Sequence, residues 1–105
     1  MIVYHGSIEQ VEKPEIREAS RTLDYGNGFY TTTSEEQAVL WVKRKLKGTG
    51  VKGYVNVYEL NEGGLLNKQE LIKELKTYVL VDQLLFHTPR SLACLRFKEA
   101  KEVGL

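Results

Sequence analysis

Three positions in the 105-residue sequence carry side chains that could do chemistry. His5 ends a β-branched and aromatic stretch, Tyr30 follows a turn that contains two glycines, and Asp82-Gln83 is a polar pair inside an apolar run. Each also has a structural explanation: a histidine satisfied within the fold, a tyrosine on the sheet surface, and the outward positions of a strand. The residue types by themselves leave both interpretations open.

Several kinds of chemistry are disfavoured by spacing. His5 and His87 have no histidine or cysteine at ligand spacing, so a metal site is not expected. Neither Ser7 nor Cys94 sits in a recognisable nucleophile elbow, which argues against Ser-His and Cys-His catalysis. The stretch 24–28 precedes a strand instead of opening a helix, so it is not a Rossmann fingerprint. Its two glycines could still let a ligand approach the backbone closely.

The composition predicts a single domain over residues 1–105, because 42% hydrophobic residues can build one core. The one cysteine rules out an intrachain disulfide and favours a reducing compartment. The chain opens without a signal-peptide pattern and has no run of about 18 apolar residues. We therefore expect a cytoplasmic protein without a membrane span.

The net charge of the chain gives little support for binding to a polyanion such as nucleic acid. The sequence has 15 Lys+Arg against 14 Asp+Glu, a formal net charge of +1, so no global field attracts nucleic acid. A local basic cluster, formed by residues 43–45 with Lys47 and Lys52, could meet phosphate. The favoured interpretation is a solvated helix end whose cations complement the helix dipole.

Local patterns predict interleaved strands and helices. A long ordered loop is expected over 8–27, and a helix should start at Ser34, whose Ser-x-x-Gln spacing allows reciprocal capping, and end before Gly48. Its apolar stripe is expected to contain Ala38, Val39, Trp41, Val42 and Leu46. Further helices are predicted over 67–76 and from Thr88-Pro89 to about Leu95, with strands at 2–5, 29–33, 54–58, within 78–86 and at 96–98. This pattern indicates an α+β fold around a strongly bent sheet.

Several short segments are more informative in their order than separately. They are Val3-Tyr4-His5-Gly6-Ser7, Ser20-Arg21, the run 24–32, Gln37-Ala38 with Trp41, Val55-Asn56-Val57-Tyr58 and the run 82–88. Together they resemble a small bacterial ADP-ribosyltransferase-like family that was formerly catalogued as a domain of unknown function. The resemblance covers most of the chain.

This resemblance implies the split, strongly bent β-sheet with short flanking helices of the diphtheria-toxin and poly-ADP-ribose polymerase clan. In that clan a His, a Tyr and a third residue, usually Glu, come from three strands and bind NAD. The matching residues here are His5 for the nicotinamide ribose, Tyr30 for stacking on the nicotinamide ring, and Gln83, with Asp82 as the other candidate, for the third position. The resemblance also places the following residues at the NAD site: Gly6, Ser7, Arg21, Gly28 and Phe29.

Two features depart from the family pattern. Gln83 can offer a hydrogen bond but not the negative charge of a glutamate, and transition-state electrostatics is often the largest catalytic term. The chain is also shorter than expected between Leu60 and Lys76.

Three functions follow as hypotheses. The first is a NAD-dependent mono-ADP-ribosyltransferase, a toxin or phage-conflict component, with a protein or nucleic-acid acceptor and an antitoxin or other partner protein. The second is a non-catalytic module that binds NAD, ADP-ribose or a protein. The third is a purely structural or interaction protein.

Overall fold

The computed structural model describes residues 1–15, 28–47, 52–60, 68–78 and 83–104. These residues form one six-stranded sheet with three flanking helices, so the expected α+β class is confirmed. The strands are β1 Ile2–Ser7, β2 Phe29–Thr32, β3 Gly53–Leu60, β4 Lys76–Tyr78, β5 Gln83–Phe86 and β6 Leu95–Val103. The helices are α1 Glu35–Leu46, α2 Lys68–Glu74 and α3 Pro89–Leu92. None of these helices is long and apolar enough to cross a membrane.

The strands follow the order β4-β5-β2-β1-β3-β6, and each neighbouring pair is antiparallel. β1 pairs with β3 along its whole length, and β2 pairs with β5 along its whole length. Between β1 and β2, in contrast, the pairing within the described residues is the single pair Tyr4 and Thr32. The sheet therefore consists of two ladders, β1-β3-β6 and β2-β5-β4, joined at one pair.

Hydrophobic residues are buried on both faces of this sheet, because successive side chains of a strand point to opposite sides. On one face α1 buries Ala38, Val42 and Leu46 against Val55 and Val57 of β3. The other face carries a larger core, made of Val3, Val11, Phe29, Tyr58, Leu60, Leu71, Phe86, Cys94 and Leu95. Its members come from both ladders, so this core helps to hold the two ladders together.

Helix α1 begins where the sequence predicted. Ser34 Oγ accepts a hydrogen bond from the backbone N–H of Gln37 at 3.2 Å. The backbone N–H of Ser34 donates to Thr32 Oγ1 at 3.1 Å. The predicted acceptor of this hydrogen bond was the Gln37 side chain. Of the predicted stripe, Val39 and Trp41 are only half-buried. The start and direction of α1 are thus fixed by the residues that connect it to β2.

The remaining elements differ from the predictions mainly at their ends. Thr88 and Ser91 form the capping box that opens α3, but this helix ends at Leu92 instead of near Leu95. β6 continues to Val103, well beyond the predicted 96–98, because β3 supplies a partner for it as far as Gly53. The strand predicted within 78–86 is β5, whereas β4 ends at Tyr78. Of the other predictions, residues 16–27 of the loop and Gly48 lie outside the described residues, as do residues 61–67 of the shortened region.

Glycine brings β1 into close contact with α1. A Cβ added at Gly6 would lie 2.8 Å from the backbone oxygen of Ala38 and 2.9 Å from Val42 Cγ2. One added at Gly53, on neighbouring β3, would lie 2.3 Å from Val42 Cγ1. α1 therefore rests directly on the backbone of the two strands, and its distance from His5 is set by these glycines.

We expect Gly6→Ala to lower the free energy of unfolding by about 1–3 kcal/mol, because the added methyl group overpacks the contact with the α1 backbone. Denaturant unfolding of the variant and the parent measures this difference. Gly104→Ala is the matched control, since nothing lies within 4 Å of the Cβ it would add. Equal stability of Gly6→Ala and the parent would show that α1 does not sit this close to β1.

Candidate functional site

The His5 side chain connects the two ladders of the sheet. Its Nδ1 lies 2.6 Å from the backbone carbonyl oxygen of Tyr30. A carbonyl oxygen can only accept, so Nδ1 carries the proton of this hydrogen bond. In the neutral imidazole the lone pair then lies on Nε2, which is an acceptor. The contact thus fixes both the position of the ring and its tautomer.

The core fixes the plane of the same ring. The His5 and Phe29 rings stack with their centroids 4.0 Å apart and an interplanar angle of 24°. Phe29 is 1% exposed and meets Tyr58 edge-on, at 5.6 Å and 86°. Phe29 was predicted at the NAD site, and the structure places its side chain in the core against His5. Its contribution to the site is support of the imidazole.

Asn56 holds the chain that follows His5. This fully buried side chain donates from Nδ2 to the carbonyl oxygens of His5 at 3.3 Å and Glu9 at 3.2 Å. Its Oδ1 accepts from the backbone N–H of Val11 at 2.9 Å, and the Tyr58 hydroxyl donates to the carbonyl oxygen of Val11. Sequence analysis did not single out Asn56 as a site residue. The available signal was a polar amide in the middle of an alternating apolar strand.

Gly6 and Ser7 lie between this buried network and α1. Ser7 is buried, and its Oγ accepts from the backbone N–H of Glu9 at 3.2 Å. The carbonyl oxygen of Gly6 accepts from Lys45 Nζ at 3.2 Å. Trp41 Cβ lies 3.6 Å from the position that a Cβ at Gly6 would take. Trp41 is therefore a second residue whose place beside the site was missed, because its helical spacing indicated only the core stripe.

Tyr30 and Gln83 share the face of the sheet that carries α1. Tyr30 follows Phe29 in the strand, so its side chain projects from the face opposite Phe29. Gln83 is paired with Thr32, two residues beyond Tyr30, and directly paired residues point to the same face. The structure thus places Tyr30 and Gln83 on one face. The His5 side chain lies on the opposite face, where it stacks on Phe29. Its Nδ1 donates to the backbone carbonyl oxygen of Tyr30.

Gln83 carries an unsatisfied polar atom. The residue is 8% exposed, and its Oε1 is buried with no hydrogen-bond partner among the residues that the structure describes. A buried acceptor of this kind is costly unless a donor reaches it, so it is a candidate contact for a ligand. Of the other predicted site residues, Asp82 and Arg21 lie outside the described residues.

Gly28 brings the start of β2 close to the end of β5. Its φ is +156°, and an added Cβ would lie 2.5 Å from Leu85 Cδ1 and 2.8 Å from the carbonyl oxygen of Phe86. A side chain at this position is therefore excluded by both conformation and space. Within the described part of the chain, no three His, Cys, Asp or Glu side chains are grouped so that they could hold a metal ion.

Comparison with curated proteins finds no match, and comparison with solved structures finds none. A family model described as "Protein of unknown function (DUF3990)" matches residues 1–65. The matched segment includes β1, β2, α1 and β3, and so contains His5, Tyr30, Trp41 and Asn56 but not Gln83. Because the match covers more than half of the chain, the protein belongs to this family of proteins of unknown function.

Proposed function

We propose that the protein is an ADP-ribosyltransferase-like protein whose substrate is NAD, bound by His5, Tyr30 and Gln83. The observation that carries the proposal is their arrangement: they come from β1, β2 and β5, which are consecutive in the sheet. The hydrogen bond from His5 Nδ1 to the Tyr30 carbonyl oxygen joins two of these strands where their backbone pairing is sparse. The resemblance implies a site built from three strands, and the origin of these residues on three neighbouring strands supports it, with the His5 side chain on the face opposite Tyr30 and Gln83.

In this proposal His5 binds the nicotinamide ribose through Nε2. A ribose hydroxyl is a donor, and Nε2 is the acceptor of the ring once Nδ1 holds the proton. Stacking on Phe29 and the bond to Tyr30 fix the ring before the ligand arrives. A preorganised acceptor loses little conformational entropy on binding, so its hydrogen bond contributes more of its energy to affinity.

NAD would lie at the join between β1 and β2, where backbone pairing is sparse, with the nicotinamide ring toward Tyr30 on the α1 side and the ribose toward His5 on the opposite side. Tyr30 projects to the α1 side, and Trp41 lies beside the Gly6 backbone. Two aromatic side chains on this side suit a flat heteroaromatic amide, which stacks on rings.

The reaction breaks the bond between nicotinamide nitrogen and the ribose carbon, and nicotinamide leaves with the bonding electron pair. Positive charge develops on the ribose until a nucleophile of the acceptor forms the new bond and loses its proton. Gln83 Oε1 can accept a hydrogen bond from a ribose hydroxyl, but it brings no negative charge to this step. We therefore expect slow turnover.

Gln83 is a buried amide without charge, and this favours a second candidate function, a module that binds NAD or ADP-ribose without turnover. Incubation with NAD separates the two functions. Released nicotinamide indicates the transferase, whereas NAD-dependent stabilisation without release indicates the binding module. Neither release nor stabilisation would reject both.

We expect His5→Ala to weaken NAD binding by about 0.5–1.5 kcal/mol, the value of one hydrogen bond, and Tyr30→Ala to weaken it similarly through lost stacking. Because both residues contact neighbouring parts of the same ligand, the losses should not add in a double-mutant cycle measured by calorimetry. His87→Ala is the matched control, since His87 lies between β5 and α3 and outside the proposed site. An equal loss in His87→Ala, or no loss in His5→Ala, would remove His5 from the site.

We expect Gln83→Glu to leave the NAD affinity nearly unchanged and to raise nicotinamide release on the order of a hundredfold, because a carboxylate stabilises the charged transition state more than the ground state. Single-turnover assays with saturating NAD measure the rate. Gln69→Glu on α2, an exposed position, introduces the same charge elsewhere and should change nothing. Turnover present in the parent but lost in Gln83→Glu would exclude Gln83 from the third position.

A further inference from the structure

The outward face of α1 combines an exposed leucine with three cations. Leu40, Lys43, Arg44 and Lys47 follow the spacing i, i+3, i+4 and i+7, and all four are exposed. At 100° per residue they lie within about 100° of the helix circumference. Leu40 is 49% exposed, although most large hydrophobic residues among those described are covered. We call these four residues the basic face of α1.

Four cations elsewhere on the described surface have carboxylate partners: Lys52, Arg90, Lys98 and Lys101. Lys52 lies 2.8 Å from Glu102, and Lys101 lies 2.8 Å from Glu35. The hydrogen bonds with these carboxylates raise the pKa of Lys52 and of Lys101. Lys13, Lys73 and Arg96 are exposed and form no ion pair within the described residues, so what distinguishes α1 is that three such cations lie together on one face.

The basic face has no such pairing. Within the described residues, no carboxylate forms an ion pair with Lys43, Arg44 or Lys47. Lys43 and Lys47 stand at i and i+4, where like charges destabilise a helix. The helix dipole offsets part of this repulsion at the C-terminal turn. The helix dipole does not explain why Leu40, on the same face as the cations, is exposed to water.

We propose that the basic face of α1 binds an acidic protein segment that covers Leu40 with an apolar side chain. Carboxylates of the segment would neutralise the three cations, and burial of Leu40 would remove apolar surface from water. A nucleic acid fits less well. Glu36, exposed on the same face one turn before Leu40, repels phosphates and carboxylates alike, so Leu40 decides: a phosphate backbone offers no apolar side chain to cover it.

This surface lies across the helix from the proposed NAD site. Ala38, Val42 and Leu46 face the sheet, and Lys45 reaches Gly6 on β1, whereas the basic face points away from the sheet. Binding of a partner there needs no NAD. The proposal therefore stands or falls independently of the proposed reaction.

The test uses the full chain and a fluorescent peptide of about 15 residues, in which one leucine is surrounded by glutamates at helical i±3 and i±4 positions. A second peptide has serine in place of the leucine, and a DNA duplex of about 15 base pairs reports on nucleic acid. Fluorescence anisotropy measures each Kd. The variants are Lys43→Gln/Arg44→Gln/Lys47→Gln, its control Arg96→Gln/Lys98→Gln/Lys101→Gln on β6, and Leu40→Ser.

We expect the α1 triple variant to weaken binding of the leucine peptide about tenfold, the sum of three exposed ion pairs, and the β6 triple variant to weaken it by less than about twofold. Leu40→Ser should weaken the leucine peptide and leave the serine peptide unchanged. Three results would overturn the proposal: no binding of the leucine peptide, equal losses in the two triple variants, or tighter binding of the duplex. The last would assign the face to nucleic acid.

Discussion

The join between β1 and β2 is the constraint on which the rest of the structure depends. The backbone pairs there at Tyr4 and Thr32. A side chain supplies the next connection, because His5 Nδ1 donates to the carbonyl oxygen of Tyr30. This bond serves the fold by satisfying a strand carbonyl, and it serves the site by fixing the imidazole. Structural and functional interpretations of His5, which the sequence left as alternatives, are therefore compatible.

Two packed layers keep this join in place. On one side, Phe29 of β2 stacks on His5 and meets Tyr58 of β3, so one aromatic series crosses from ladder to ladder. On the other side, α1 follows β2 closely and rests on the glycine backbone of β1 and β3. Asn56 of β3 donates to the carbonyl oxygen of His5 and accepts from the backbone N–H of Val11, and so holds the chain that follows β1 against β3. The contacts that hold the candidate site in place are therefore also contacts of the core.

Local sequence signals predicted much of the fold and named two residues of the candidate site. The capping residues Ser34 and Thr88 fixed the starts of α1 and α3, because a cap is decided within a few residues. His5 and Tyr30 were found from their motifs. The contact between them was not predicted, since a hydrogen bond from a ring nitrogen to a backbone carbonyl oxygen depends on strand register. Asn56 was missed for the same reason, because its partners lie far away in the sequence, whereas the helical spacing of Trp41 indicated only the core stripe.

The central claim is that the His5 imidazole carries a proton on Nδ1, which it donates to the Tyr30 carbonyl oxygen. Long-range ¹H–¹⁵N correlation of the side chain, recorded above the pH at which the ring titrates, measures the tautomer directly. A His87→Ala variant assigns the two histidines. The account predicts a protonated Nδ1 and an unprotonated, pyridine-like Nε2 for His5. The reverse tautomer, with the proton on Nε2, would contradict it, because an unprotonated Nδ1 cannot donate to a carbonyl oxygen.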